Sequence, residues 1–119
     1  MLDEEGFFLL RKSSLTRTQF DAFIVKMIKK EKISSNIYEE LSKKFRTRGA
    51  MMGSFIQAKG NIEKSLYTLL LLFYLGIWKE KEWRILNSLI KGVITMANSN
   101  DTKRKEIRRY VEKIINVMI

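Results

Sequence analysis

The stretch "KKFRTRGAMMGSFIQAKGNIEKSL", Lys43 to Leu66, decides how this chain is read. It opens with four cations in six residues: Lys43, Lys44, Arg46 and Arg48. It then places three of the chain's six glycines at 49, 53 and 60. Each glycine weakens a helix interior by about 1 kcal/mol relative to alanine. Yet Met51, Phe55, Ala58, Ile62, Leu66 and Leu69 keep a 4-3-4-4-3 spacing through those glycines. That spacing lays one apolar stripe along one helix face. It predicts a helix that starts after Thr47, a good cap, and runs to about Leu75. A bend or a tight helix crossing is the expected reason for Gly60. From Leu66 onward the sequence is apolar almost all round, so this half is expected to be the central core element.

Upstream, "LTRTQFDAFIVKMIKKEK" reads as a helix. Thr16 and Gln19 stand at the spacing of a capping box. Phe20, Phe23, Ile24, Met27 and Ile28 share its apolar face, with Lys26, Lys29, Lys30 and Lys32 mostly off it. "ISSNIYEELSKKF" reads as a shorter helix capped by Ser34 or Ser35. Glu39 and Glu40 lie in its early turns and Lys43 and Lys44 near its end, as the helix dipole favours. Ile37, Leu41 and Phe45 mark its inward face. The first fourteen residues carry the apolar patch "FFLL", read as a short helix or an arm packed on the body.

Downstream, "KEKEWRILNSLIKGVITMAN" gives a further helix with Trp83, Leu86, Leu89, Ile90 and Val93 inward. "NSND" is a loop, after which Asn100 or Asp101 caps a last helix, "TKRKEIRRYVEKIINVMI". Ile107, Val111, Ile114 and Met118 follow a 4-3-4 seam spacing. That row is read either as a homodimer seam or as packing within its own chain. No segment alternates apolar and polar for long, no hairpin dipeptide occurs, and Pro is absent. The expected class is therefore all-α: about five helices with a long central helix and C-terminal helices.

A length of 119 residues predicts one domain. A hydrophobic fraction of 45% provides a real core. The net charge of +10 speaks about partners, and an anionic one is expected, nucleic acid first. The chain has no Cys and no His, which excludes a zinc finger and any Cys or His nucleophile–base pair. No Gly-rich phosphate loop or spaced carboxylate cluster is present, so neither an enzyme nor a cofactor or metal is expected. Lack of Cys fits a reducing compartment. The longest apolar run, Leu66 to Trp78, is 13 residues, against the roughly 20 a spanning helix needs. The chain begins "MLDEEG", acidic where a secretory signal is basic. A soluble, cytoplasmic protein is expected, with no membrane or small-molecule partner.

Three consecutive short helices, the third opening on a basic segment of small residues, give the order of a helix-turn-helix DNA reader. "LTRTQFDAF" resembles the "LTxxQ" opening of the first helix in archaeal Tfx-like regulators and in the fourth region of bacterial sigma factors. "TRGAMMGSFIQAKGNIEK" is similar to their recognition helix, where Thr/Ser-Arg-Gly-Ala precedes a core aliphatic, a small residue and "QA…NI". The resemblance covers roughly residues 14–66, leaving 67–119 as helical core and dimerisation portion. One feature departs from the pattern. The usual Leu-Gly-Val-Ser turn is one residue shorter here, Phe45-Arg46-Thr47, with Arg46 in place of the glycine.

The resemblance implies a small transcriptional regulator that binds double-stranded DNA. It implies that Met51, Phe55 and Ala58 face the core, while Arg48, Gly49, Met52, Gly53 and Ile56 face outward. Arg48 then suits a guanine edge, which a guanidinium meets bidentately, and Gln57 an adenine. Thr47 and the free amides at the helix start would hold a phosphate. Lys43, Lys44, Arg46 and Lys59 would neutralise backbone charge. Gly49 and Gly53 would let the helix approach closely. Against this stand plainer readings: a solvated charged helix end, and glycines that serve helix–helix packing. "KRKEIRRYVEK", Lys103 to Lys113, is a second basic cluster, read mainly as a solvated face.

Two other function classes remain open at this level. "FRTRGAMMGSFIQAKG" is also similar to a basic, glycine-punctuated stretch in the small helical subunit of type III CRISPR complexes, which implies an RNA partner followed along its backbone. A helical adaptor for an acidic protein in a nucleic-acid-processing assembly is the third class.

Overall fold

The computed structural model describes the backbone of residues 2–31 and 35–119, and the side chains of these except 28–31 and 35–38. In chain order the helices are α1 (Glu4–Lys12), α2 (Arg17–Glu31), α3 (Ser35–Ser42), α4 (Arg48–Tyr74), α5 (Glu80–Ala97), α6 (Asp101–Arg104) and α7 (Ile107–Met118). No strand occurs among the described residues, so the chain is all-α with a long central helix. Two details differ from the expected five helices. The "FFLL" patch lies in a regular helix, and the last helix is split at Lys105–Glu106. There the Glu106 N–H turns back to Lys103 O at 3.1 Å, closing α6 after one turn. The expected cap at Ser34 or Ser35 and the positions Ile28, Lys29, Lys30, Lys32, Ile37 and Tyr38 lie outside the described side chains.

The chain divides into two compact units, one of residues 9–68 and one of residues 2–8 with 69–119. The first is organised by α2. Its capping box is formed in full: the Gln19 N–H donates to Thr16 Oγ1 and the Thr16 N–H to Gln19 Oε1, both at 3.1 Å. Two orphan amides of the helix start are satisfied by this exchange. One face of α2 delivers Val25 to a small core with Leu41 of α3, closed by Ile24, Phe45 and Met51. Val25 is 1% exposed and Leu41 6%. Phe23 stacks on Phe55 of α4 with ring centroids 6.1 Å apart, and the Lys26 ammonium sits over the far ring at 5.7 Å. Gln19 reaches Asn61, Phe23 reaches Phe55, and the Val25 cluster reaches Met51. Rising along α2 thus means descending along α4, so the two helices run antiparallel.

Helix α4 is continuous for 27 residues through Gly53 and Gly60. The expected crossing at Gly60 is not made among the described residues: a Cβ added there meets nothing within 4 Å. The helix ends where a residue of positive φ allows it to. Gly76 has φ 71°, its N–H bonds Phe73 O at 3.1 Å, and the Ile77 N–H bonds Leu72 O at 3.1 Å. These two bonds are the Schellman pattern, which a glycine enters without a Cβ penalty.

The expectation that the second half of α4 is buried core is corrected. Leu66, Tyr67, Leu70, Leu71 and Tyr74 are all more than half exposed. Only the opposite side is covered, where Leu69, Leu72 and Phe73 are half-buried. The run is apolar all round, but the second unit has packing for one side of it. Phe73 meets the edges of Trp78 and Trp83 at 5.9 and 6.5 Å. Trp83 and Ile90, expected inward, are about half exposed; Leu86, Leu89 and Val93 are the half-buried positions of α5.

The second unit is held by α5 against α7. Ile107 and Val111 of α7 are buried. Tyr110 crosses α5 at Gly92, where a Cβ would overlap the phenol ring, and its hydroxyl donates to Ser88 O at 3.2 Å. Phe8 is buried in the same unit under the Arg108 guanidinium, 5.0 Å from its ring. Asp3 caps α1 by accepting the Gly6 N–H at 2.9 Å and also pairs with Arg104. The Gly6 hydrogen bond first, and Arg104 after it, hold the Asp3 carboxyl below the ordinary carboxylate range. Of the row read as a homodimer seam, Ile107 and Val111 are already covered by the chain itself, and Ile114 and Met118 are half-covered. The first two offer no surface to a second copy, because α7 spends that face on its own unit.

Candidate nucleic-acid interface

Five residues, Lys43 to Thr47, join α3 to α4. The end of α3 tightens as it leaves: the Lys44 N–H bonds Leu41 O and the Phe45 N–H bonds Ser42 O, both at 3.2 Å. Phe45 then turns inward against Val25 and Leu41. With Phe45 anchored inside, the polar residues on either side of it are left on the surface. Lys43, Lys44, Arg46, Thr47, Arg48 and Gly49 are all exposed. A basic turn pinned by one buried aromatic is the local result.

Thr47 caps α4. Its Oγ1 accepts the Ala50 N–H at 3.0 Å and its carbonyl the Met51 N–H at 3.2 Å. The amides of Arg48 and Gly49 have no partner among the described residues. They are the positive end of a long helix dipole. Arg48 is the first helical residue. Among the described residues, Lys43, Arg46 and Arg48 have no ion-pair partner.

The other two expected phosphate cations are engaged. Lys44 Nζ lies 3.2 Å from Asp21 Oδ2, and Lys59 Nζ lies 3.7 Å from Glu63. Asp21 is 4% exposed and also takes Arg17 Nε at 3.1 Å. A buried carboxylate is tolerated when charged donors satisfy it, and here it ties the turn after α3 to the start of α2. Sequence reasoning passed over Asp21. The available signal was Arg17 four residues before it, an ion-pair spacing on a helix.

The inward positions of α4 match the spacing: Ala58 is fully buried and Met51, Phe55 and Ile62 are half-buried. The outward set is less uniform. Gly53 and Ile56 are exposed, while Met52 is half-buried. At Gly53 an added Cβ meets nothing within 4 Å, and at Gly49 only Thr47 Oγ1 at 3.9 Å. Neither glycine is required by packing among the described residues.

Gln57 is exposed, but it belongs to a polar network. Gln19 Nε2 donates to Gln57 Oε1 at 3.4 Å, and Asn61 Nδ2 donates to Gln19 Oε1 at 3.0 Å and to Ser14 O at 3.2 Å. The Gln and Asn of "QAKGN" thus meet the Gln of "LTRTQ", which ties α4 to α2. Gln19 is the hub, since one oxygen serves both its own cap and Asn61. Replacement of Gln19 by Ala should lower stability by about 1–2 kcal/mol. Gln19→Glu keeps both acceptor contacts and loses only the long donation to Gln57, so thermal melting should place it within about 0.5 kcal/mol of the parent. Equal losses in the two variants would refute the hub role.

Among the described residues no group of His, Cys, Asp and Glu could hold a metal ion, and no helix is long and apolar enough to cross a membrane. No protein-family model, curated protein or solved structure matches the chain.

Proposed function

We propose that the turn Lys43–Thr47 and the first two turns of α4 form a double-stranded-DNA interface, and that the protein is a small helix-turn-helix regulator that binds and does not catalyse. The observation that carries this reading is the unpaired cation set. Among the described residues, Lys43, Arg46 and Arg48 stand exposed without an ion-pair partner, beside a capped helix start whose first two amides have none either. A phosphate meets full charges, partial charges and amide donors at one place there. The open backbone at Gly49 and Gly53 adds close approach, which only a missing Cβ permits. Arg48, first on the helix, is the residue for a guanine edge. Lys44 and Lys59 contribute less than their charge suggests, since each already faces a carboxylate. Gln57 reads an adenine only by giving up its contact with Gln19. A cysteine-free, basic chain suits work in the cytoplasm.

The test is a mobility-shift series on duplex DNA, single-stranded DNA and single-stranded RNA with the parent and Arg48→Ala. Duplex DNA should bind tightest. Arg48→Ala should lose about 1–3 kcal/mol on the preferred sequence, and less on a scrambled one. Tighter binding to RNA would transfer the site to an RNA partner. An unchanged affinity and selectivity in Arg48→Ala would remove Arg48 from base reading.

A further inference from the structure

Five large apolar residues stand in the open on the second half of α4. Leu66 is 56% exposed, Tyr67 69%, Leu70 61%, Leu71 54% and Tyr74 86%. At 3.6 residues per turn they share one face, an arc of about 140°. With about 150–250 Å² for each tyrosine and less for each leucine, they leave on the order of 600 Å² of contiguous, mainly apolar surface bare. A soluble monomer rarely leaves more than a few hundred Å² so exposed. The figure is close to the roughly 800 Å² that each partner contributes to a standard protein interface.

Charge selects the occupant. From Leu66 to Trp78 the chain has no Asp, Glu, Lys or Arg, although its net charge is +10. A nucleic acid finds no cation on this face, and neither does an acidic protein. A helix that lies on a membrane surface carries Lys and Arg along its polar side, and this stretch has neither. A second copy meets no such obstacle. Two strongly basic chains repel everywhere except where both are uncharged, and this is such a place. The row Tyr67, Leu70, Tyr74 has the 3-4 spacing by which two helices interlock, and the two hydroxyls can stay wet at the rim.

We propose that two copies of this chain pair through the outer face of Leu66–Tyr74, helix against helix. The pairing does not depend on the DNA reading, and its test contains no nucleic acid.

Sedimentation equilibrium of the full chain at micromolar concentration and moderate salt should give a dimer. Leu70→Glu puts a charge at the centre of the face, on a side chain already exposed in one copy, so its circular dichroism should match the parent's. Its dimer dissociation constant should rise ~100-fold or more. Val117→Glu, on an exposed position of α7, should leave the dimer intact. A monomeric parent overturns the proposal, whether it stays free or sediments with anionic vesicles. So does a dimer that survives Leu70→Glu, or one that Val117→Glu dissolves in its place.

Discussion

A chain in which Lys43, Arg46 and Arg48 are all replaced by Ala will bind duplex DNA on the order of 100-fold or more weakly at about 0.1 M salt. The magnitude follows from counterion release. Each phosphate contact steepens the dependence of log affinity on log salt by about 0.9, so three contacts are together worth between two and three decades at that salt. The plot of log affinity against log salt should flatten by about the same three contacts. Folding should be little affected, because all three side chains are exposed and none has an ion-pair partner among the described residues. Lys44 is left out of the set because Asp21 holds it. The comparison is a second triple variant, Lys105→Ala, Arg109→Ala and Lys113→Ala, which removes the same charge from the other basic cluster. It should weaken binding far less. Equal losses in the two triples would mean that net charge alone attracts the DNA, and the assigned interface would fall.

Glycine substitutions in the helices should have opposite signs at different places. Gly92→Leu should destabilise the protein by about 2–3 kcal/mol and lower its melting temperature by roughly 10 °C. Even a methyl group at Gly92 would overlap the Tyr110 ring, which is held in place by its hydrogen bond to Ser88. The gain in helix propensity, about 1 kcal/mol at most, cannot offset that loss. Gly53→Ala and Gly60→Ala meet empty space, so each should stabilise the fold by about 0.5–1 kcal/mol. If Gly53 exists to admit a phosphate backbone, the same Gly53→Ala will weaken duplex binding while it raises the melting temperature. Chemical denaturation and a mobility shift on one preparation read both. A Gly92→Leu chain as stable as the parent would refute the α5–α7 packing described above.

Much of the fold was legible because it rests on neighbours in sequence. Thr16 with Gln19, Thr47 ahead of Ala50, and Asn100 ahead of Lys103 are contacts across three residues. Helix geometry alone brings such groups together. The inner stripe of α4 through Ala58 and Ile62 is a matter of period, and it came out where the spacing put it. The site was legible in part. Its exposed cations follow from composition and from the burial of Phe45. The pairing of Lys44 with Asp21, twenty-three residues away, does not. Nor does the tie from Gln57 and Asn61 to Gln19, which takes side chains 38 and 42 positions apart.

The sequence by itself determined the helical class, the capped starts of α2 and α4, and the positive charge gathered before Arg48. Each is set by local backbone chemistry or by a period of 3.6 residues. Only the tertiary structure decided which apolar surface is buried. Hydrophobic patterning says that Leu66–Tyr74 avoids water on every side, but burial needs a partner surface of matching area. The described residues supply one for Leu69, Leu72 and Phe73 and leave Tyr67, Leu70 and Tyr74 exposed. The same reason bears on the two readings of α7. Its seam spacing is equally good for a second copy or for its own chain, and in the folded chain Ile107 and Val111 are already buried.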